Sequence, residues 1–405
     1  MKNRKTYYIA FAITIALFLK ACIEPFEVET ATFENALVIE ATITNELKHQ
    51  EIILSKTFKF EENGPLGETG ATVIIKDDTG NTYPFQESSN GKYISSSKFK
   101  AEPNKAYQLF VTTKDNKEYT SKTAQITGVT QIDNINVSKE ISDLDVEEFN
   151  ITVDSYDPAG ASKYYRYTYE ETYKIIAPFW AEYKLIIISQ PPLTPIVDHV
   201  KKTIGEENRI CYNTKKNKEI ILTETASFSE NRISKFSVKK IPVTDFSVSH
   251  RYSILVKQYV QSLAAYTFYK TLNKFASEGS LLSQSQPGFF NGNVYAVANT
   301  KEKVLGFFDV SSVSEKRIFF NYRDFVDIGR PPYPYKCEIQ ARRLAVDFPT
   351  DSSDLIETIK KGDWIFYDVN ENPNDIFPGP YLIVPKACGD CTVYGSKIKP
   401  AFWVD

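Results

Sequence analysis

Ala71-Thr-Val-Ile-Ile-Lys76, then Asp78-Thr-Gly80, then Thr82-Tyr-Pro-Phe-Gln-Glu87 is the stretch that decides the fold. Val73, Ile75, Tyr83 and Phe85 fall on alternate positions, the period of a strand with one buried face, and the glycine between the runs can take the positive φ of a tight turn. Outward from this hairpin the pattern repeats across residues 36–127. Further runs lie at Ala36–Thr44, Glu51–Phe60, Lys92–Ser96, Ala106–Thr113 and Glu118–Ile126, with Asn90-Gly91 and Asp115-Asn116 between them. About seven strands in roughly 90 residues, with turns at this spacing, predict an immunoglobulin-like β-sandwich over residues 36–128. Tyr107 shares a strand face with Leu109 and Val111 and is either a corner tyrosine or a simple core residue.

From residue 129 to 405 the strands lengthen and become aromatic-rich, which predicts a larger β-rich domain. Runs at Glu148–Asp154, Lys163–Ile175, Glu219–Thr225, Ile233–Lys240, Tyr252–Lys257, Val294–Ala298, Lys303–Val310 and Arg317–Asn321 read as strands. Residues 191–220 are polar and Lys-rich and read as an exposed excursion. One amphipathic helix is expected near 258–277. There Val260, Leu263, Ala264, Thr267, Phe268, Thr271, Leu272 and Phe275 recur at spacings of three and four, and Gly279 is its stop signal. Its apolar stripe is expected to pack on a sheet.

The N-terminus has a different character. Met1-Lys-Asn-Arg-Lys5 is basic, Tyr8 to Leu19 is apolar, and Leu19-Lys-Ala-Cys22 follows. An apolar run of about 12 residues is shorter than the roughly 20 a spanning helix requires, and the order of the parts is that of a secretory signal. The Cys after a small residue resembles the lipobox of bacterial lipoproteins, with Lys20 as a departure from it. Residues 1–21 are therefore expected to be a lipoprotein signal peptide and Cys22 the lipidation site, with residues 22–35 an acidic tether (Glu24, Glu27, Glu29). Each buried CH₂ of an acyl chain contributes about 0.8 kcal/mol, so a triacylated Cys22 would be anchored to a membrane without spanning it. Acidic residues just behind such a cysteine resemble the signal for the outer face of the outer membrane, so a lipid-anchored, surface-facing location is expected.

Composition narrows the chemistry. The chain has 405 residues with 48 Lys plus Arg against 51 Asp plus Glu. Removing residues 1–21 takes Lys2, Arg4, Lys5 and Lys20, so 48 less four leaves 44 against 51, a net charge of about −7. Nucleic acid is not an expected partner. With three histidines, His49, His199 and His250, and no HExxH, GxSxG or Gly-rich phosphate loop, neither catalytic residues nor a cofactor is assigned. Cys211, Cys337, Cys388 and Cys391 are disulfide candidates in an exported chain, and four thiols permit three pairings. Cys388-Gly-Asp-Cys391 lacks the second pair that a zinc site requires. Pro373 in Asp368–Asp375 stands where a calcium loop needs glycine, and the Asp143–Glu148 cluster reads as a solvated loop, so no metal is expected. Tyr165, Tyr167 and Tyr169 share one strand face and are candidate binding aromatics, the alternative being the half-buried side of a sheet. Tyr164 and Arg166 take the other face.

Several blocks together resemble the Bacteroidetes domain of unknown function 4249 (DUF4249) family. They are Cys22 with its acidic follower, Leu37-Val-Ile-Glu-Ala-Thr-Ile-Thr-Asn45, Gly70-Ala-Thr-Val73 with Asp78-Thr-Gly80, and Gln258-Tyr259 with Ala265-Tyr266. The series continues with Gln286-Pro287, Gly292-Asn293 and Val304-Leu-Gly-Phe-Phe308, then Cys388-Gly-Asp-Cys391 and Lys399-Pro-Ala-Phe-Trp403, where Ala401 replaces a more usual acidic residue. The resemblance implies an outer-membrane lipoprotein that accompanies a TonB-dependent transporter of the starch-utilisation type and helps it capture cargo; it does not name the cargo, for which a glycan or a peptide is the expectation. It brings no catalytic residues with it. A binding or accessory subunit is thus the expected function. The alternatives are a surface glycan or peptide hydrolase using scattered carboxylates, or a structural subunit of an outer-membrane complex.

Overall fold

A computed structural model describes residues 36–58, 64–190, 195–277, 292–299, 301–345, 353–372 and 378–405. The signal, the tether and Cys22 lie outside them, as do Gln286, Pro287 and part of the Asp368–Asp375 loop. The chain is mainly β.

The alternating N-terminal runs become β1 (Leu37–Thr44), β2 (Glu51–Lys56), β3 (Leu66–Gly67), β4 (Thr72–Asp77), β5 (Thr82–Ser89), β6 (Lys92–Ser95), β7 (Ala106–Thr112), β8 (Glu118–Ser121) and β9 (Ala124–Gln125). Their period places Leu37, Ile39, Ala41 and Ile43 of β1, Val73 and Ile75 of β4, and Leu109 and Val111 of β7 in one core. Tyr107 joins them, fully buried, and its hydroxyl accepts a hydrogen bond from Glu102 N at 2.9 Å, the geometry of a tyrosine corner.

The second body begins with β10 (Asn134–Ile141), β11 (Glu147–Tyr156), β12 (Tyr164–Ile176), β13 (Tyr183–Ser189), β14 (Ile196–Lys201), β15 (Ile210–Lys216), β16 (Ile221–Glu224), β17 (Arg232–Pro242) and β18 (Arg251–Gln261). The excursion expected at 191–220 thus contains two strands. On β15 Cys211 and Tyr212 are buried while Thr214, Lys215 and Lys216 are exposed, so the polar composition records only the outer end of the strand. Helix α1 runs from Leu263 to Ser277. The helical period was therefore extended too far toward the N-terminus: Gln258 to Gln261 end β18, and Ser262 caps the helix, its Oγ accepting from Ala265 N at 3.1 Å. The inward face also differs from the expected stripe. Leu263, Ala264 and Thr267 are exposed, while Ala265 and Tyr266 are buried and Phe268, Tyr269 and Leu272 half-buried, because the tyrosine rings do the packing.

Then come β19 (Val294–Ala296), β20 (Val304–Asn321), β21 (Gln340–Ala341), α2 (Asp354–Lys361), β22 (Trp364–Val369), β23 (Tyr381–Pro385) and the short helix α3 (Lys386–Gly389). The two strands expected at 303–321 are one strand of 18 residues, about 60 Å long. Val304 to Ser311 pair in parallel with β1, and Ser312 to Asn321 pair antiparallel with β18, so β20 belongs to both bodies. Its neighbours supply the hand-over: Asn45 Oδ1 accepts from Val313 N at 2.8 Å, and Thr127 Oγ1 donates to Val260 O at 2.7 Å.

One hydrogen-bonded path, β15-β12-β18-β20-β1-β2-β6-β5-β4-β7-β8-β19, runs through both bodies. Val294, Ala296, Val304, Phe308 and Val310 complete the N-terminal core, which is therefore not built from residues 36–128 alone. The sheet β10-β11-β17 covers the inner face of β12-β18-β20 to enclose the second core, making a two-layer sandwich. A third, small core gathers Val197, Leu355, Ile356 and Ile383. Among the described residues no helix is long and apolar enough to cross a membrane.

Candidate functional site

The outer face of the shared sheet, opposite the β10-β11-β17 layer, is divided between two coverings. At one end the C-terminal segment lies against it. Trp403 is wedged between Tyr212 and Phe319, with ring centroids at 5.0 and 5.6 Å, and the Arg317 guanidinium stacks 3.5 Å from the centre of Phe402. At the other end α1 crosses the sheet, with Tyr266 packed on Tyr164 at 5.1 Å and Phe268 on Phe307 at 5.3 Å. Beside α1, where the two bodies meet, a cleft of about 800 Å³ opens.

Strand alternation places Arg166 in the wall of that cleft. Its cross-strand neighbour on β18 is Tyr259, and α1 brings Tyr269 close to the guanidinium. The guanidinium carbon is 4.4 Å from the centre of the Tyr259 ring and 4.7 Å from that of Tyr269. A cation over two aromatic faces is held without being neutralised. Arg166 has no ion pair or hydrogen bond to its guanidinium among the described residues, and its Nε is buried without a partner. Most other arginines on these sheets are engaged: Arg317 with Glu170 at 3.1 Å, Arg232 with Glu230 at 3.2 Å, Arg251 with Asn321 at 3.1 Å.

Asp309 of β20, 2 % exposed, lies near Arg166 and is fixed by hydrogen bonds from Ser311 Oγ at 2.6 Å and Gln261 Nε2 at 3.2 Å. Burial pushes its carboxyl up, and Ser311, Arg166 and Gln261 pull in the other direction. Glu40 and Thr42 of β1, Phe268 and Leu272 of α1, Leu305 and Phe307 of β20, and Lys218 and Glu219 beyond β15 complete the walls. Glu40 remains in contact with solvent, yet the crowding walls desolvate its carboxyl and raise its proton affinity. The arrangement suits capture of a ligand with an apolar part and polar groups at fixed positions.

The sequence-based candidates fall elsewhere. Tyr165, Tyr167 and Tyr169 are buried, at 0, 0 and 5 % exposure, so they do not form a binding row. Their face is the one covered by β10-β11-β17. Tyr165 donates to Ser162 O and Tyr167 to Gln258 Oε1, each at 2.9 Å, as buried tyrosine hydroxyls require. The four cysteines form Cys211–Cys391 and Cys337–Cys388. Cys388 and Cys391, three residues apart, thus serve different bonds, the first to the segment that follows Pro331, Pro332 and Pro334 and the second to β15. Among the described residues no group of three or more His, Cys, Asp or Glu is placed to hold a metal. Arg166 was legible only as the cation within Tyr164-Tyr-Arg-Tyr-Thr-Tyr169, on the face opposite the three tyrosines.

Three of the sequence blocks singled out above, at 258–259, 292–293 and 304–308, meet at this joint. Gln258 bonds Tyr167, and Tyr259 stacks on Arg166. Asn293 clamps β20, its Oδ1 accepting from Phe308 N at 2.7 Å and its Nδ2 donating to Phe308 O at 2.8 Å. A Cβ on Gly306 would stand 2.2 Å from Ile39 O, and one on Gly292 would meet the Gly306 carbonyl. These residues are explained by the closeness of β1, β20 and the chain before β19. A comparison with curated proteins finds no match to the chain. The family model described as a domain of unknown function, DUF4249, matches residues 23–317, which hold most of both larger bodies and of β20, and the chain belongs to that family.

Proposed function

We propose that the protein is a lipid-anchored, surface-facing outer-membrane lipoprotein that acts as a binding subunit beside a TonB-dependent transporter and takes cargo into the cleft at the joint of its two β bodies. The observation that carries the binding role is the cleft itself, with an unneutralised, aromatic-stacked arginine beside apolar walls. The anchoring half rests on Leu19-Lys-Ala-Cys22 and the acidic segment behind it. The test is purification of the tagged full chain from membranes in mild detergent. A barrel of the TonB-dependent class, identified by mass spectrometry at near-equal stoichiometry, supports the reading, and a monodisperse monomer without partner contradicts it.

A second reading, a surface hydrolase, draws on one observation: the raised proton affinity of Glu40 within the cleft, which is a condition for a general acid. Glycan or peptide turnover that disappears in Glu40→Gln would favour it over simple capture.

A further inference from the structure

We infer that the cleft recognises a carboxylate, held in the plane of the Arg166 guanidinium between Tyr259 and Tyr269, with the apolar part of the same ligand lying against Phe268, Leu272 and Phe307. This rests on the binding role proposed above and names the ligand class that the cleft takes.

Geometry is the first ground. The guanidinium carbon lies over the rings of Tyr259 and Tyr269, at 4.4 and 4.7 Å, which hold the group in place and leave its N–H donors without a protein acceptor. The edge of a guanidinium is a fork of N–H donors matched to two carboxylate oxygens, and the flanking rings fix its orientation in advance. The second ground is valence. None of the guanidinium nitrogens makes a hydrogen bond among the described residues, and Nε, buried and unpartnered, is in deficit. Nε is closed to contact, whereas Nη1 and Nη2 are not among the buried atoms, so an acceptor can be met on the Nη edge, where it would fill donors that the protein leaves free. Asp309, the acid near it, is committed to Ser311 and Gln261 rather than to a salt bridge with Arg166.

The third ground is the composition of the rest of the cleft. Lys218 stands exposed in the wall with no ion pair among the described residues, but Glu40 and Glu219 in the same walls offset its charge, so selection of an anion falls to Arg166. Lys48, by contrast, is paired with Glu46 and unavailable. Phe268, Leu272, Leu305 and Phe307 give the cleft an apolar side, which a bare inorganic anion would leave unused. A volume of about 800 Å³ admits a ligand of a few residues.

The experiment titrates the purified full chain in detergent with an N-acetylated three-residue peptide of phenylalanine and alanine bearing a free C-terminal carboxylate, and with the same peptide amidated. The acid is expected to bind at least about tenfold more tightly than the amide. Arg166→Gln is expected to abolish that preference, and Arg166→Lys to restore little of it, because a lysine keeps the charge but not the planar fork. A ¹³C label in the peptide carboxylate gives a readout on the unaltered protein: its titration midpoint should fall by about one pH unit or more on binding. No binding of the acid at about 5 mM, equal affinity for acid and amide, or an unshifted carboxylate midpoint would each overturn the inference. Loss of carboxylate preference with the barrel still copurifying refutes only this inference. Intact preference with no barrel partner refutes only the transporter reading.

Discussion

Gly306→Ala should be among the most damaging single changes at the joint. Gly306 has φ +145°, and an added Cβ would stand 2.2 Å from Ile39 O, more than 1 Å inside an ordinary contact of about 3.5 Å. The obstacle is the backbone of β1 at the register Ile39↔Gly306, so no side chain can swing aside. Holding an L-residue at this φ costs about 1–3 kcal/mol. Opening the parallel ladder by an ångström weakens about two backbone hydrogen bonds at about 1 kcal/mol each. Against this, alanine restricts the unfolded chain and returns about 0.5–1 kcal/mol. The net expectation is a loss of about 3 kcal/mol, read as a lowered urea midpoint, with faster amide exchange in Leu37–Thr44 and Val304–Ser311. Gly205→Ala, with nothing within 4 Å and no positive φ, is the control and should change stability by less than about 0.5 kcal/mol. A Gly306→Ala protein as stable as that control would refute the description of β20 as the joint.

Three further outcomes follow from named contacts. Burial pushes the Glu46 carboxyl up, but hydrogen bonds from Lys48 and Lys257 outweigh it and hold it at about 2. A depressed carboxylate contributes stability above its unfolded value near 4.5, and that contribution is lost as pH falls toward about 2. After allowance for solvent screening it amounts to about 1–2 kcal/mol, and Glu46→Gln should flatten that part of the urea-midpoint profile against pH. Tyr167→Phe leaves Gln258 Oε1 without its donor in the second core and should lower stability by about 1–3 kcal/mol, while ligand affinity measured by calorimetry stays unchanged. Cys211 and Cys391 are 180 residues apart, so loop closure sets a ceiling of about 5 kcal/mol on their bond. Replacing both by alanine should lower the urea midpoint and raise amide exchange at Trp403 to Asp405, and an unchanged midpoint would show that the bond closes a segment already fixed by packing.

Strands with one buried face were legible because their period reports which side is dry. Thus β1, β4 and β7 lie close to where alternation placed them, and Tyr107 sits at its corner. Legibility failed where a strand is buried on both faces or where aromatics carry the packing. Val304 to Ser314 are almost all buried, so no period marks the point at which β20 passes from one body to the other. The helix boundary was misplaced because Val260 stands three residues before Leu263 and so continues the helical spacing back into β18, while only the Ser262 cap marks the break. Tyr165, Tyr167 and Tyr169 showed the right face and the wrong exposure: the covering sheet comes from β10, β11 and β17, which the local sequence around the row cannot reveal. The same tertiary placement made the cleft invisible, since Arg166, Tyr259, Tyr269 and Glu40 are brought together from β12, β18, α1 and β1. Pairing of the cysteines was left open for the same reason.

The proposed role stands on Cys22 fixing this two-bodied chain to a membrane. Cells grown with an alkyne fatty acid should yield a labelled protein in the outer-membrane fraction, and Cys22→Ser should lose both the label and that fractionation. An unlabelled parent protein, or a Cys22→Ser protein that still fractionates with the outer membrane, would contradict it.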